Sequence, residues 1–216
     1  MTVQADVQAV HEDADLLVLQ KPAGLLCVPG RGPDKQDCLS ARAQQHWPGA
    51  LIVHRLDQAT SGLVLMARHI DAQRRLSHAF AERQVHKRYQ AVVWGLLAAQ
   101  EGAWNEINLP IAADWERRPL RVIDPAHGKP SLTRWRLLGH HPATGTSRIE
   151  LEPVTGRTHQ LRVHMAAVGH PILGDALYAP AEVQTLAPRL LLHASHLAFA
   201  HPSTGEPLAL EWAADF

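Results

Sequence analysis

The sequence contains few cysteines, few lysines and no long apolar run. Its two cysteines, Cys27 and Cys38, form no Cys-x-x-Cys pair, so they predict neither a disulfide framework nor a thiolate zinc site. No apolar stretch approaches the roughly 20 residues that a membrane-spanning helix needs. The first residues lack the basic and apolar regions of a secretory signal. From these absences we expect a cytoplasmic protein without membrane contact.

The sequence also has no net charge, because 21 basic residues balance 21 acidic ones. This balance argues against a nucleic-acid partner until the distribution is considered. Residues 1–20 and 197–216 hold seven acids and no lysine or arginine, so residues 21–196 hold all 21 bases against 14 acids. Seventeen of the bases are arginines, whose planar forks match phosphates and stack on bases. An RNA-binding surface and a compositional effect on a solvated surface both explain this excess.

Apolar patterning predicts more strands than helices. The predicted strands are 15–20, 62–68, 88–94, 133–138, 148–154, 189–200 (one strand, or two broken at His193) and 208–212, and the predicted helices are 38–47, 71–85 and 159–168. The last two helices are expected to be capped by Asp71 and Thr158. Because strands do not alternate strictly with helices, an α+β fold is favoured. We expect one domain over residues 1–216, with long loops at 29–37 and 110–130 as candidates for gripping a substrate.

One loop combines a carboxylate with a guanidinium ahead of an apolar strand. Arg55 and Asp57 precede Thr60-Ser61-Gly62, whose hydroxyls and amides can hold the loop. Loops on a rigid scaffold often carry chemistry, although a loop aspartate is more often a turn or capping residue. A nucleophilic carboxylate in a partly dry pocket needs a cationic or hydrogen-bonding partner. Asp57 is therefore a candidate only if such a partner exists.

Two further residues could take part in such a site. Arg162 lies at the border of the apolar stripe of the predicted helix, where half-burial favours an ion pair and a snorkelling side chain is the alternative. Tyr89 follows His86-Lys87-Arg88 on a predicted strand, where it either packs or forms a base-stacking platform. The fifteen histidines show no ligand spacing like that of His-Glu-x-x-His. We therefore predict no metal site.

Five segments in order resemble the motifs of the RluA-type pseudouridine synthases. They are residues 15–25, the Arg-Leu-Asp signature within 54–68, the tyrosine strand 87–95, residues 155–178 and residues 189–194. The resemblance implies a mixed, largely antiparallel central sheet flanked by helices and long loops, with a catalytic cleft across the sheet. The first strand begins near residue 15, so no S4 RNA-binding domain is expected. The short, dual-specificity members are the most similar.

The resemblance implies an isomerase that converts loop uridines of structured RNA to pseudouridine. Its expected targets are 23S ribosomal RNA and the anticodon stem-loop of tRNA. It makes Asp57 the catalytic residue, attacking C1′ or C6 or removing a ribose proton. It pairs Arg162 with Asp57, stacks Tyr89 on the uracil and packs Leu192 beneath the base. No cofactor is expected because nothing is oxidised and no group is transferred, and a monomer is expected.

Arg55 is assigned by its position rather than by the resemblance. Because it lies two residues from Asp57, it could fill the gap that a flipped base leaves in the RNA, or it could contact phosphate instead.

Two other functions fit parts of the sequence. A non-catalytic RNA-binding module or RNA chaperone would need the basic middle of the chain but not Asp57 together with Arg162. A glycosidase-like hydrolase usually needs two carboxylates, and no second acidic residue lies near Asp57 in sequence. The presence of both Asp57 and Arg162 favours catalysis on RNA.

Overall fold

The structure is a computed structural model and describes residues 7–216. The expectation about a leader concerns residues 1–6 and lies outside the described residues. Over residues 7–216, every helix is too short or too polar to cross a membrane.

The described chain forms twelve strands, four α-helices and two short 3₁₀ segments. The strands are β1 (Gln8–Glu12), β2 (Leu16–Lys21), β3 (Leu51–Ile52), β4 (Ser61–Ala67), β5 (His86–Trp94), β6 (Trp104–Asn108), β7 (Ile111–Ala113), β8 (Arg121–Ile123), β9 (Leu132–His141), β10 (Thr146–Pro153), β11 (Leu192–Ala200) and β12 (Pro207–Glu211). The helices are α1 (Leu39–His46), α2 (Ile70–Ala81), α3 (Gln160–Ala167) and α4 (Ala181–Gln184), and the 3₁₀ segments are Pro33–Lys35 and Pro142–Thr144.

Contacts group the chain into two compact units, of which the first comprises the described part of residues 1–87 together with 194–215. In it, β2 pairs antiparallel with β1 and with β4, β3 pairs with β4, and β12 pairs with β11. All seven residues of β4 are buried, as expected for a central strand covered on both faces. Helix α2 contributes Ala72 and Leu76 to the core on one face. A rigid strand therefore follows directly after the Asp57 loop.

The second unit comprises residues 88–193 and Phe216. In it, β10 pairs antiparallel with β5 and β9, and β9 pairs with β6. Strands β7 and β8 form a separate antiparallel hairpin. Helix α3 packs on β8, β9 and β10, and a smaller apolar cluster gathers around Val92, Leu173 and Val183. This unit therefore supports α3, the helix that carries Arg162.

The predicted α+β, largely antiparallel class is confirmed, and the predicted strands and helices fall within a few residues of the observed ones. Helix α2 ends at Ala81 rather than near 85 because Arg83 adopts a left-handed conformation, with φ 58°. The amides of Arg83 and Gln84 then bond back to the carbonyls of Phe80 and Ala79, which closes a Schellman motif. Whether residues 1–216 behave as one domain stays a prediction.

Three local expectations were wrong. The N-cap of α2 is His69, whose ring accepts the Ala72 amide at 3.3 Å, and not Asp71. The N-cap of α3 is His159, with φ 57°, and not Thr158. Residues 110–130 contain the hairpin β7–β8, whose three-residue strands are too short to show an alternating pattern.

Candidate active site

The Asp57 loop joins β3 to β4 and is fixed through its main chain. Asp57 is half-buried and Arg55 is exposed. The amide of Thr60 donates to the carbonyl of Asp57 at 3.1 Å, and the amide of Gly24 donates to the carbonyl of Gln58 at 2.8 Å. The Gln58 side chain returns a bond to the Gly24 carbonyl at 3.0 Å. The loop is thereby tied to the turn that follows β2.

Lys21, the last residue of β2, is the buried cation of this loop. Its side chain has no exposed surface, and burial lowers its pKa to about 8, against the opposing effects of Cys27 and Asp57. Its ammonium donates to three carbonyls, those of Pro22 at 2.9 Å, Leu25 at 2.7 Å and Gln58 at 3.0 Å. One charged group thus fixes both chain segments and interacts electrostatically with the Asp57 carboxylate.

The residues just before Asp57 are held by the buried thiol of Cys27 and by the half-buried ring of His54. The amide of Leu56 donates to the sulfur of Cys27 at 3.2 Å. The Nε2 atom of His54 accepts the Leu65 amide at 3.0 Å, and its ring stacks on Phe80 at 4.4 Å. Burial lowers the pKa of His54 to about 3, so this ring is neutral near pH 7. The loop therefore enters and leaves Asp57 along a defined path.

Gly62 lets β4 begin directly after this loop. Its φ is +115°, and a Cβ at this position would lie 2.3 Å from the carbonyl oxygen of Ala194. Only glycine allows both this conformation and the close approach of β11. The glycine of the sequence pattern is thus required by strand packing.

Arg162 takes part in a buried ion pair. Its side chain is 4% exposed and lies on α3. Its Nε and Nη2 atoms donate to the two carboxylate oxygens of Asp175 at 2.8 and 2.6 Å, which is the bidentate geometry typical of strong arginine–carboxylate pairs. The guanidinium also lies over the ring of Tyr178 at 5.2 Å. An ion pair was expected and is present, with Asp175 as the described partner, and the pairing with Asp57 stays a prediction.

The helix that carries Arg162 is anchored by two buried polar residues. The side chain of Gln160 donates to the carbonyl of Leu132 at 2.9 Å and to the hydroxyl of Thr133 at 3.0 Å. His164 bonds to the same hydroxyl at 2.9 Å and to the carbonyl of Leu109 at 2.9 Å. Burial lowers the pKa of His164, so it bridges these groups as a neutral ring. Arg162 therefore projects from a helix with little freedom to turn.

The remaining predicted site residues lie on strands. Tyr89 is half-buried on β5, opposite Leu151 of β10. Leu192 is the first residue of β11 and is 3% exposed. Both belong to the second unit with Arg162, whereas Arg55 and Asp57 belong to the first.

The sequence and the structure were compared with known proteins. Residues 15–167 match the family model of the RNA pseudouridylate synthases. The chain belongs to this family. The synthase is 48% identical over 200 residues to a dual-specificity RNA pseudouridine synthase RluA of Pasteurella multocida, covering 93% of this chain and 90% of the relative. It is 44% identical over 207 residues to the RluA of Yersinia pestis, covering 96% and 98%.

A solved structure also resembles the synthase. Human RNA pseudouridylate synthase domain containing 1 superposes with a TM-score of 0.82 at 30% identity, covering 100% of this chain and 87% of that one. The family predicted from the motifs is therefore confirmed, and the synthase is an isomerase that acts on RNA.

Sequence reasoning missed Lys21 and Asp175, the buried charged residues that bond to the Asp57 loop and to Arg162. Lys21 ends an apolar strand and could have been noticed as a lysine placed where a buried residue is expected. Asp175 follows Gly174, whose φ is +69° and whose Cβ position lies 1.9 Å from the Arg189 carbonyl. A glycine under such constraint indicates a tightly packed turn, but only the three-dimensional structure shows which basic residue pairs with Asp175.

One group of possible metal ligands occurs among the described residues, formed by Asp13, Asp15 and His201. The Nδ1 atom of His201 accepts the amides of Ser203 and Thr204 at 3.3 and 3.2 Å. Its Nε2 therefore carries the proton that is donated to Asp13 at 3.2 Å. A protonated nitrogen is a poor ligand, so this arrangement fits a structural role. The absence of a metal stays a prediction.

Proposed function

We propose that this synthase isomerises loop uridines in two RNA classes, a 23S ribosomal hairpin and the anticodon stem-loop of tRNA, with Asp57 as its catalytic residue. The relatives from Pasteurella and Yersinia are named dual-specificity enzymes, which supports two substrates. The synthase acts as a monomer in the cytoplasm and without a cofactor. Light scattering of the purified protein checks whether the synthase is a monomer.

The observation that carries the catalytic assignment is the half-buried Asp57 in a loop pinned by Lys21. Its carboxylate lies in the Arg-Leu-Asp signature and near a buried ammonium. A nearby cation favours the ionised form of a carboxylate, and a carboxylate that acts on a nucleotide in a site with little water must stay ionised.

The reaction breaks the bond between N1 and C1′, turns the uracil and joins C5 to C1′. The proton lost from C5 is balanced by one gained at N1, so no oxidant or co-substrate is needed. The target base must first leave its stack, at a cost of a few kcal/mol that is lowest in loops. Asp57 then attacks C1′ or C6 or removes a ribose proton.

The other site residues hold the base during this rearrangement. Tyr89 stacks on the uracil, and Leu192 packs beneath it and excludes water. Arg162, oriented by Asp175, pairs with the carboxylate of Asp57. Arg55 fills the gap left by the flipped base.

The decisive variant is Asp57→Asn, which keeps the volume of the side chain. Tritium release from uridine labelled at C5 should fall by more than about 1000-fold, while binding of the RNA stem-loop is retained. Asp71→Asn, at an acid whose side chain is 71% exposed on α2, is the matched control. Turnover in Asp57→Asn would refute the assignment, and free uracil as the wild-type product would identify a hydrolase.

A further inference from the structure

The hairpin β7–β8 carries an unusual pair of side chains at its tip. Trp115 is 71% exposed, more than any other large apolar side chain among residues 7–216. The guanidinium of Arg118 lies 4.3 Å from the centroid of its indole ring. One face of the ring is thereby covered by a cation and the opposite face is open to solvent.

The tip that presents this pair is well ordered by its own bonds. The carboxylate of Asp114 accepts the amide of Arg117 at 3.0 Å and its guanidinium Nε at 2.8 Å. The amides of Asp114 and Leu120 bond to the carbonyls of Leu120 and Arg117 at 3.1 and 2.9 Å. Asp114 also neutralises Arg117, which leaves Arg118 as the cation beside the ring. The main chain that carries the exposed indole is therefore held in place.

The base of the hairpin contacts the helix of Arg162. The amide of Arg121 donates to the hydroxyl of Tyr178 at 3.0 Å, and this hydroxyl bonds to His159 at the start of α3 at 2.6 Å. The Tyr178 ring lies under the guanidinium of Arg162 at 5.2 Å. Trp115 stands two residues beyond Ala113, the strand partner of Arg121, so it lies at the tip of the hairpin whose base contacts the helix of Arg162.

We infer that Trp115, backed by Arg118, is a stacking platform for a second unpaired base of the loop that contains the target uridine. A cation behind the indole suits an electron-rich base whose own phosphate is nearby. Stacking tolerates every base because every base has a π-face. Such a platform would serve two RNAs whose loops differ in sequence. The inference rests on the proposed function and adds to it an RNA contact outside the target base.

The test compares Trp115→Leu with Trp115→Phe on the anticodon stem-loop and the ribosomal hairpin. Trp115→Leu should raise KM about ten-fold, within the range for loss of one stacked base, and change kcat by less than about two-fold because the contact exists before and during reaction. Trp115→Phe should recover most of the loss. Leu186→Ala, at a side chain that is 50% exposed in the same unit, should leave KM unchanged, and every variant should keep the wild-type Tm.

The occupant is identified with RNAs that lack one base at a time. Removing the stacked base should raise the wild-type KM about ten-fold and add nothing in Trp115→Leu. An unchanged KM in Trp115→Leu on both RNAs, or losses that multiply at every loop position, would overturn the inference. If the wild type forms no pseudouridine, the proposed function fails first. In that case the fluorescence of 2-aminopurine in the loop tests the stacking by itself. Quenching by the wild type but not by Trp115→Leu would support the platform, and equal quenching by both would refute it.

Discussion

The loop of Asp57 and the helix of Arg162 are both fixed by a buried charge, but the charge acts on different parts of the chain. Lys21 bonds to three main-chain carbonyls, including that of Gln58. Asp175 instead accepts two hydrogen bonds from one edge of a single guanidinium. The first arrangement fixes the path of a loop, and the second fixes the direction of a side chain. A loop and a side chain can thus be positioned by unlike means.

The largest effect is expected from the second arrangement. Asp175→Asn removes the carboxylate that faces a buried guanidinium, so the free energy of unfolding should fall by about 3–5 kcal/mol. Urea unfolding of the variant measures this. The double variant Arg162→Met with Asp175→Leu should recover part of that stability and remain inactive. Equal stability of Asp175→Asn and wild type would show that the pair does not hold Arg162.

A smaller effect is expected at Lys21, because its partners are neutral carbonyls. Lys21→Met keeps the apolar stem and leaves three carbonyls without their charged donor, at a cost of about 2–3 kcal/mol. Since the loop moves, kcat should fall while KM for the stem-loop changes little. Lys35→Met, at an exposed lysine, is the control. A variant with normal kcat would mean that the loop holds Asp57 without the ammonium.

Each unit also contains a neutral histidine, half-buried His54 and buried His164, and the loss of stability in acid should reveal both. The folded-state pKa of His54 is about 3, below its ordinary 6.5, so the unfolded chain takes up a proton as pH falls below 6.5 while the folded chain does not. Stability is therefore lost on acidification from pH 6.5, by about 2 kcal/mol at pH 5. The lowered pKa of His164 acts in the same direction.

Denaturant unfolding between pH 7 and 5 measures this loss. His54→Gln removes the titrating group and keeps an acceptor for the Leu65 amide, so its stability should fall less with acid than that of the wild type. His127→Gln, at a side chain that is 86% exposed, should match the wild type. Parallel curves for all three proteins would contradict a neutral His54.

Local patterns indicated candidate site residues but not their partners. Asp57, Arg162 and Tyr89 stand in recognisable motifs, and the place of Arg162 at the border of an apolar stripe predicted half-burial, whereas the residue is 3% exposed. Its described partner Asp175 lies 13 residues away around a turn, and no spacing rule connects them. Lys21 and Gln58 are 37 residues apart. Pairing across such separations is set by tertiary packing, which the hydrophobic periodicity of a sequence does not reveal.

The same limit explains the elements that were missed. Strands β7 and β8 have three residues each, too few to show alternation, and their sequence contains prolines and arginines typical of loops. The caps of α2 and α3 are histidines, which lie outside the usual N-cap residues. In both cases the neighbours of the segment override its local preference.

The smallest effect is expected at Arg55. This residue is exposed, and it belongs to the fixed Asp57 loop through its main chain. If Arg55 fills the gap left by the flipped base, Arg55→Ala should reduce the fluorescence of 2-aminopurine at the target position, while Kd rises by less than about five-fold, or 1 kcal/mol. Arg74→Ala, at a side chain that is 73% exposed on α2, is the control. If Arg55 contacts phosphate instead, Arg55→Ala weakens every RNA equally and lowers the salt dependence of binding by about one counterion. Because the first outcome changes flipping and the second changes the salt slope, one titration series at several salt concentrations separates them.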